Sequence, residues 1–367
     1  MQPFEPHSLP LHNISLESLI GLVGEANRAL AKYDGLLAGL INPAVLLSPL
    51  TTKEAERSSR IEGTRAELGD VYQYEAGISL ELSIEQDSQE ILNYRETLGA
   101  AHQFLLERPM GLPLIKSMHQ VLLNSVRGQD KRPGEFRIVQ NWIGPKGCPM
   151  EEATYVPPSP LRLLDHLENW AAYLHFKDVD PVIQTAIVHA QFEIIHPFLD
   201  GNGRLGRLMI PLFLFKSGVL EHPMFYLSEY LEAHRDEYYS RLGAITRDND
   251  WAGWIHFFLQ AVIEQARHNA AKAAAINSLY ESMKDRVQAA THSQYTFTLL
   301  DAIFDKPVFT SSALLEKTGI QRNTLMTLLR QLKDAGILRT LQEGGGRRPA
   351  TMVFPEIINI VEGRNIF

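Results

Sequence analysis

The chain has 367 residues, of which 45% are hydrophobic and 21% are charged, and its formal net charge is −8. This is the composition of an ordinary globular protein, and the length favours two or three domains. The single cysteine, Cys148, excludes a framework of internal disulfides. Residues 1–13 have no basic region and no continuous apolar run, so we expect no signal peptide, and the single cysteine fits a cytoplasmic location. The early apolar stretch 35–50 is too short and too interrupted to cross a membrane, so we expect no membrane partner.

Helical periodicity dominates the first third of the chain. Apolar residues at helical spacing predict helices over 15–33, 84–107 and 113–126. Between the first two of these, residues 50–76 predict a helix that pauses near Gly63 and a second segment after the pause.

Residues 127–160 interrupt the helical pattern. They are rich in glycine and proline and contain two β-like runs, 136–144 and 153–158. The pattern predicts a hairpin or paired loops rather than a helix. A stretch of this length without a helix favours a binding or lid role, although a plain surface excursion fits the pattern equally well.

Helices resume after residue 160. The helix predicted over 181–198 has one apolar stripe, which indicates that it packs into a core. The stripe consists of Ile183, Ala186, Ile187, Ala190 and Ile194. Further helices are predicted over 161–176, 204–219, 228–246 and 251–290, the last running from a core segment into a linker.

The pattern changes again near residue 295. Two short helices, 311–320 and 321–336, meet at a turn at Gly319, and two strands follow that are joined by a glycine-rich basic turn. Helix, turn, helix, strand, turn, strand is the element order of a winged helix. The sequence therefore predicts a small separate domain at this end of the chain.

This C-terminal part has the residues expected of a DNA-binding module. Residues 321–324 begin the second helix, where base edges are usually contacted, and Arg347 and Arg348 in the wing would meet phosphates. From residue 291 onward, however, nine Lys/Arg face seven Asp/Glu, a net charge of only +2. A protein-interaction module or a rigid spacer is therefore an equal alternative.

The stretch HPFLDGNGRLGR, residues 196–207, has an unusual set of residue types. Its glycines let successive backbone N–H groups point into one concavity that accepts phosphate oxygens. A helix beginning near Arg204 would aim its positive end at the same place. Arg204 and Arg207 project from the first turn on similar faces and can hold further phosphates. The stretch predicts an anion site rather than a plain loop.

Two further side chains complete the chemistry of this stretch. A carboxylate beside a polyphosphate requires a cation between them, so Asp200 indicates Mg²⁺. His196 is the one residue of the stretch that can accept a proton near neutral pH, and Pro197 fixes the path of the chain after it.

A zinc site is the main alternative at the end of this helix. His189, Glu193 and His196 are spaced four and three residues apart, which resembles the spacing of metal ligands. They do not form the H-E-x-x-H pattern, and Ile194 and Ile195 give the helix an apolar setting. A partly buried, hydrogen-bonded His189 beside Glu193 is the interpretation we favour.

The stretch resembles the signature of the Fic family, His-Pro-Phe-x-(Asp/Glu)-Gly-Asn-Gly-Arg-x-x-Arg, and matches it at every fixed position. Residues resembling the family's flap and nucleotide-pocket helix extend the likeness to about residues 50–260. The resemblance implies a mainly α Fic-type helical bundle with a small β-hairpin flap, followed by the winged helix-turn-helix domain. We place the domains at 1–90, 91–290 and 291–367, the first containing an inhibitory motif and the second the catalytic core.

The resemblance also implies an activity: transfer of AMP from ATP to a Ser, Thr or Tyr hydroxyl of a protein. His196 would take the proton of that hydroxyl, and Asp200 would hold Mg²⁺. The flap near 142–156 would pair with an extended segment of the target. Tyr239 would line the adenine pocket, or it is a core aromatic of an amphipathic helix. The residues that would bind the nucleotide phosphates are Gly201, Asn202, Gly203, Arg204, Leu205, Gly206 and Arg207.

A second motif lies upstream in SSRIEGT, residues 58–64, where Ser58, Glu62 and Gly63 have the spacing Ser-x-x-x-Glu-Gly. By itself it fits a solvated glutamate at a helix end that is capped by Gly63. Beside the Fic signature it resembles the family's inhibitory motif. Glu62 would then pair with Arg207 and place a carboxylate where phosphate oxygens belong.

Three classes of function fit these motifs. We favour an autoinhibited protein adenylyltransferase that uses ATP and Mg²⁺. The alternatives are a winged-helix DNA-binding regulator and a Fic-type enzyme that mainly removes AMP or transfers another phosphate-containing group. The partners compatible with the sequence are a target protein at the flap, the chain itself as a target of modification, DNA through 310–350, and a second copy in a homodimer.

Overall fold

The structure is a computed structural model that describes residues 2–12, 14, 17–124, 129–145, 147–345 and 349–366. It is mainly helical, with one small antiparallel sheet. The chain divides into two compact units: one comprises 1–34, 57–64 and 89–267, and the other 35–56, 65–88 and 268–367. Within the described residues, no helix is both long enough and apolar enough to span a membrane.

The helices alternate with short connections along most of the chain. The first eight are α1 Ile20–Ala38, α2 Pro43–Leu46, α3 Ser48–Ile61, α4 Leu68–Glu75, α5 Leu82–Glu107, α6 Leu112–Leu122, α7 Leu163–Tyr173 and α8 Pro181–Ile195. The next four are α9 Asn202–Lys216, α10 Ser228–Ala233, α11 Arg235–Asp248 and α12 Trp251–Thr291. Short 3₁₀ turns occur at Glu17–Leu19, Gln129–Lys131 and Met150–Glu152.

Helices α8 and α9 pack against each other in the core of the first unit. The Asp180 side chain caps α8 by accepting the N–H groups of Val182 and Ile183 at 2.8 and 3.1 Å. Two buried tryptophans fix this helix from outside, because Trp170 and Trp254 donate their indole N–H groups to carbonyl oxygens of α8. The predicted core helix is thus the central helix of the unit.

The glycine- and proline-rich region between α6 and α7 pairs at one position. The N–H of Ile143 donates to the carbonyl of Tyr155 at 2.8 Å, and Tyr155 donates back at 3.0 Å. Two β-like runs were expected to form a hairpin or paired loops, and they form paired loops. Pro157 and Pro158 have no N–H to donate to a strand ladder. Their carbonyl oxygens accept from side chains instead, from Gln140 and Arg137 respectively.

The C-terminal part of the second unit contains helices on a three-stranded antiparallel sheet of order β1-β3-β2. Its elements are α13 Thr296–Asp305, β1 Val308–Thr310, α14 Ser311–Thr318, α15 Arg322–Asp334, β2 Arg339–Gln342, β3 Thr351–Val353 and α16 Pro355–Glu362. Gly319 ends α14 with φ of 64°, at the turn that the sequence predicted. The predicted wing residues Arg347 and Arg348 lie outside the described residues.

Candidate active site

The predicted signature loop connects α8 to α9. Helix α8 ends at Ile195, and His196 adopts a left-handed conformation with φ of 49° that turns the chain out of the helix. Asn202, the first residue of α9, closes the loop with its side chain, which accepts the N–H of Phe198 at 2.9 Å and donates to its carbonyl at 3.0 Å. The asparagine of the signature therefore holds the loop in shape, a role that the motif alone did not indicate.

His196 has the protonation state that a general base requires. Burial lowers its pKa to about 4, so the imidazole is neutral at pH 7. Its Nδ1 lies 3.3 Å from the carbonyl oxygen of Glu193, which only accepts hydrogen bonds. The proton of the neutral ring is therefore on Nδ1, and Nε2 has the free lone pair.

Arg207 is bound by the upstream motif. Its guanidinium is almost fully buried, and Nη2 donates to Oε1 of Glu62 at 2.6 Å. Ser58 accepts two more of its hydrogen bonds, Nε to Oγ and Nη2 to the carbonyl oxygen, both at 2.9 Å. The structure thus contains the contact between Glu62 and Arg207 that the sequence predicted, and it adds Ser58 as a second partner of Arg207.

Glu62 is placed by the end of α3. Gly63, with φ of 102°, terminates the helix and donates to the carbonyl of Arg60 at 2.9 Å, which turns Glu62 toward α9. Partial burial raises the pKa of Glu62, but the charge and hydrogen bond of Arg207 outweigh it, so the net direction is downward. The carboxylate is therefore ionised at neutral pH.

Gly203, in the first turn of α9, leaves the space that this carboxylate fills. A Cβ atom at this position would overlap Oε1 of Glu62 and lie 3.0 Å from Nη1 of Arg207. The occupied space is next to the helix N-terminus, where the helix dipole favours negative charge. An anionic group therefore already fits the space that the sequence assigned to phosphate.

Arg204 is held by a different carboxylate. Its Nη1 donates to Glu90 of α5 at 3.0 Å, and Nη2 lies 3.8 Å from Oδ1 of Asp200. In the part of the chain that the structure describes, its buried Nε has no hydrogen-bond acceptor. The two signature arginines thus have separate acidic partners, and Glu90 was not identified from the sequence.

Asp200 offers oxygen to solvent. Its side chain is about half exposed, and Oδ1 accepts the N–H of Gly201 at 2.6 Å. No group of three His, Cys, Asp or Glu side chains suited to a metal is found among the described residues. One accessible carboxylate suits Mg²⁺, which retains several waters and binds through one or two carboxylates and substrate phosphates.

His119 of α6 supports the loop from behind. Its ring stacks on Phe198 with centroids 3.7 Å apart. Nδ1 accepts the N–H of Gly134 at 2.8 Å, so Nε2 carries the proton and donates to the carbonyl of Asp200 at 3.1 Å. Sequence reasoning missed this residue. The signal was available, because His119 occupies the apolar stripe of α6 with Ile115, Met118 and Leu122.

No hydrogen bond joins the side chains of the predicted zinc alternative, His189, Glu193 and His196, among the described residues. Nε2 of His189 lies 2.9 Å from the hydroxyl of Tyr238 on α11. Burial lowers the pKa of His189 to about 3 and raises that of Glu193 to about 8. Gly206 allows both to approach α9, because a Cβ there would overlap the Glu193 carboxyl. Gly206 therefore faces α8, and its neighbour Leu205 is wholly buried.

Tyr239 lies on α11 beside the site. Its side chain is 43% exposed, whereas its neighbour Tyr238 is the buried aromatic, so the core interpretation of Tyr239 is wrong. The Arg235 guanidinium lies 5.6 Å from the Tyr239 ring centroid. Partial burial and then the Glu62 charge raise the pKa of Tyr239 to about 12. An exposed ring near the Glu62–Arg207 pair is suited to stacking on a base.

The helix pair α8–α9 with its connecting loop defines a Fic-type fold. The structure is similar to a Fic family protein from Desulfovibrio desulfuricans, with a TM-score of 0.59 over 96% of this chain and 98% of that chain at 18% identity. A Fic domain containing signaling protein from Bacteroides thetaiotaomicron is similar over 68% of this chain and 96% of that chain, with a TM-score of 0.53 at 19% identity.

Three family models match successive parts of the chain. The Fic/DOC family N-terminal model matches residues 20–103 and the Fic/DOC family model matches 109–214. The C-terminal domain of the protein adenylyltransferase SoFic-like family matches 279–347. The chain belongs to the Fic/DOC family.

Curated relatives match over short segments of the chain. A probable protein adenylyltransferase of Aquifex aeolicus is 36% identical over 87 residues, which is 23% of this chain and 27% of that protein. The protein adenylyltransferase Fic of Drosophila erecta is 34% identical over 88 residues, 23% of this chain and 16% of that protein. The matched segments thus span between a sixth and about a quarter of these relatives' lengths.

Proposed function

We propose that the protein is an autoinhibited adenylyltransferase that transfers AMP from ATP to a Ser, Thr or Tyr hydroxyl of a protein. The observation that carries this proposal is the Glu62 carboxylate in the space over Gly203, bound to Arg207. A site that accepts one anion between a helix N-terminus and a buried guanidinium is suited to the phosphates of a nucleotide. The domain division 1–90, 91–290 and 291–367 remains part of the proposal.

The residues of the loop divide the chemistry among them. Nε2 of His196 takes the proton of the target hydroxyl as its oxygen bonds to the α-phosphorus and pyrophosphate leaves. Arg204, Arg207 and the backbone N–H groups at the start of α9 stabilise the polyphosphate charge. Asp200 would hold Mg²⁺, which when bound neutralises charge on phosphate oxygens.

The flap provides a surface for the target. Ile138, Val139, Trp142 and Ile143 are all among the exposed large hydrophobic side chains. The bridge at Ile143–Tyr155 is a single pair, which leaves extended backbone beside it for pairing with another chain. These features support docking of an extended target segment near residues 142–156, including a segment of the protein itself.

Inhibition follows from competition for Arg207. In the resting protein Glu62 neutralises a guanidinium that the γ-phosphate would otherwise engage, so ATP would bind with its α-phosphate displaced from His196. A displacement of about 1 Å can reduce a rate about a hundredfold. Removal of the Glu62 carboxylate therefore frees both the charge and the space.

Self-labelling with ATP that is radioactive at the α-phosphate tests the proposal. We expect Glu62→Gly to label about a hundredfold faster than wild type, because Arg207 becomes available. His196→Ala in the same background should abolish labelling. Glu356→Gly is a matched control, since Glu356 also pairs with an arginine, Arg286 at 2.9 Å, but in the other unit.

The outcomes separate the alternatives. Equal labelling of wild type and Glu62→Gly would refute the inhibitory role. Label from the γ-phosphate instead of the α-phosphate would show transfer of a phosphoryl group. Loss of AMP from a labelled target on incubation with the wild-type protein would show the reverse activity, and mass spectrometry of the target would identify any other adduct.

DNA binding is a second candidate, favoured by the exposed face of α15. Gln321, Arg322 and Asn323 at its start are exposed, as are Thr327 and Arg330 further along, whereas its leucines are buried. Polar and basic side chains at the start of such a helix contact base edges and phosphates. A gel shift with DNA from the protein's own promoter, lost in Arg322→Ala, tests it; no shift at low salt would exclude it.

A further inference from the structure

Arg137 is a buried cation beside the catalytic histidine. Its side chain is 2% exposed, and it follows the loop that joins α6 to the flap. Nε donates to the carbonyl oxygen of His196 at 2.9 Å, and Nη2 lies 3.4 Å from that of Ile195 and 2.6 Å from that of Pro158. Its backbone N–H donates to the carbonyl of Pro197 at 2.9 Å.

These hydrogen bonds fix the end of α8. The last carbonyl groups of a helix have no partner inside it, and they form the negative end of the helix dipole. Arg137 satisfies the carbonyls of Ile195 and His196 with two different nitrogens of one planar group, Nε and Nη2, a geometry that the compact ammonium of lysine does not reproduce. The hydrogen bond from Arg137 to the carbonyl of His196 holds the His196 backbone in the left-handed region, and this fixes the direction in which the imidazole projects.

The partners of Arg137 are all carbonyl oxygens. Within the described residues it forms no ion pair with a carboxylate. Burial lowers the pKa of Arg137 to about 10, so it remains charged at neutral pH. The cation next to His196 is therefore balanced by the helix end and not by an acidic side chain.

Burial has the largest effect on the pKa of His196, and the charges near the ring modify it. An aspartate paired with the imidazole, as in hydrolase triads, stabilises the protonated ring, whereas a cation disfavours it. The charged groups that act on His196 are Arg137 from the flap side, Glu62 from the end of α3 and Asp200 from the loop; Glu193 of α8 contributes its backbone carbonyl. The two carboxylates raise the pKa of His196, whereas Arg137 lowers it.

We propose that Arg137 is a positioning residue, which holds His196 in the orientation for proton transfer by binding the carbonyl groups at the end of α8. This inference rests on the proposed function, because the proton in question is that of the target hydroxyl. Arg137 lies just before the flap, so this part of the chain would orient the catalytic histidine in addition to leading into the surface that binds the target.

Substitutions of Arg137 separate its charge from its hydrogen bonds. Arg137→Gln removes the charge and most of the donors, whereas Arg137→Lys keeps the charge but loses the planar fork of separate donor nitrogens. Both are made in the Glu62→Gly background, with Arg162→Gln as control, because Arg162 is an exposed arginine paired with Asp165. The His196 pKa is followed by NMR of labelled histidine, and kcat and KM for ATP by labelling.

We expect Arg137→Gln to lower kcat about 10- to 100-fold with little change in KM for ATP, and to raise the His196 pKa by about 1. Arg137→Lys should lower kcat while the His196 pKa stays near that of the parent. Arg162→Gln should change neither.

An unchanged kcat in folded Arg137→Gln, whatever its His196 pKa, would overturn the inference. If Arg137→Gln does not fold, Arg137→Lys decides, since a kcat equal to that of the parent would show that positioning by the fork is not needed. If the parent shows no labelling at all, the proposed function fails, while the NMR titration still measures whether the Arg137 charge lowers the His196 pKa.

Discussion

At the scale of single residues, the side chains that perform the proposed chemistry are oriented by others that do not contact the substrate. His119 is the clearest example. Its ring stacks on Phe198, accepts the backbone N–H of Gly134 and donates to the carbonyl of Asp200. Such supporting contacts are commonly worth a 10- to 100-fold change in metal affinity or rate.

Replacement of His119 by phenylalanine keeps the stacked ring and removes both hydrogen bonds. Because the Asp200 backbone is then less restrained, we expect His119→Phe in the Glu62→Gly background to need about tenfold more Mg²⁺ for half-maximal labelling. His102→Phe is the control, since the His102 ring also packs on a phenylalanine, Phe215, with centroids 4.9 Å apart. An identical Mg²⁺ dependence in both variants would contradict the role given to His119.

The residues of the site differ in how well the sequence predicted them. His196, Asp200 and the two arginines lie in one contiguous motif, and the contact between Glu62 and Arg207 was expected from a second motif. The sequence did not predict Glu90, His119 or Arg137, because their roles depend on packing between elements that are distant in the sequence. A polar residue on an amphipathic helix or in a loop looks like surface until its partners are placed.

At the scale of elements, the start of α9 depends on glycines that bring other side chains close. Gly203 makes room for Glu62, and Gly206 makes room for Glu193 and His189 of α8. The two helices can approach only where a Cβ atom is missing. These glycines therefore have a packing function besides any contact with a nucleotide.

Gly206→Ala tests this packing function. Alanine gains about 1 kcal/mol of helix propensity, but overpacking against Glu193 and the buried His189 costs about 1–3 kcal/mol, so we expect a net loss of stability. Gly243 on α11 is the matched control, because a Cβ there meets no atom within 4 Å. Denaturant unfolding should show Gly206→Ala destabilised and Gly243→Ala slightly stabilised; equal midpoints would refute the argument.

The flap shows why an element can be predicted less well than a site. Its β-like runs have the right residue types for a hairpin, yet the prolines at 157 and 158 cannot donate to a ladder. Side chains of Gln140 and Arg137 take over the carbonyls, and one bridge remains. Residue propensity reports what a segment favours locally, whereas these side-chain partners come from the tertiary structure.

At the scale of the whole molecule, buried titratable groups set the dependence of stability on pH. Burial lowers the pKa of His119 and His196 to about 4 and of His189 to about 3, so the unfolded chain binds more protons than the folded chain below about pH 6.5. Burial raises the pKa of Glu193 to about 8, which acts in the opposite direction above about pH 4.5.

The free energy of unfolding should therefore rise with pH between pH 5 and 6 and fall between pH 7 and 8. Three histidines against one glutamate leave up to two extra protons on the unfolded chain near pH 5.5, and each is worth about 1.4 kcal/mol per pH unit. Above pH 7 only the Glu193 contribution remains, and it is lost as pH rises. Denaturant unfolding from pH 5 to 8 checks this; a maximum above pH 8 would contradict it.

The missing Cβ of Gly203 has a consequence for how this protein can change over evolution. Under the proposed function, the inhibiting carboxylate and the nucleotide phosphate use the same volume, which any side chain at position 203 would fill. A lineage cannot lose its inhibition by closing that volume without also losing its substrate. Substitutions that remove the inhibition must therefore occur at the end of α3, in residues such as Ser58 and Glu62. Selection for an uninhibited enzyme would leave the catalytic loop unchanged.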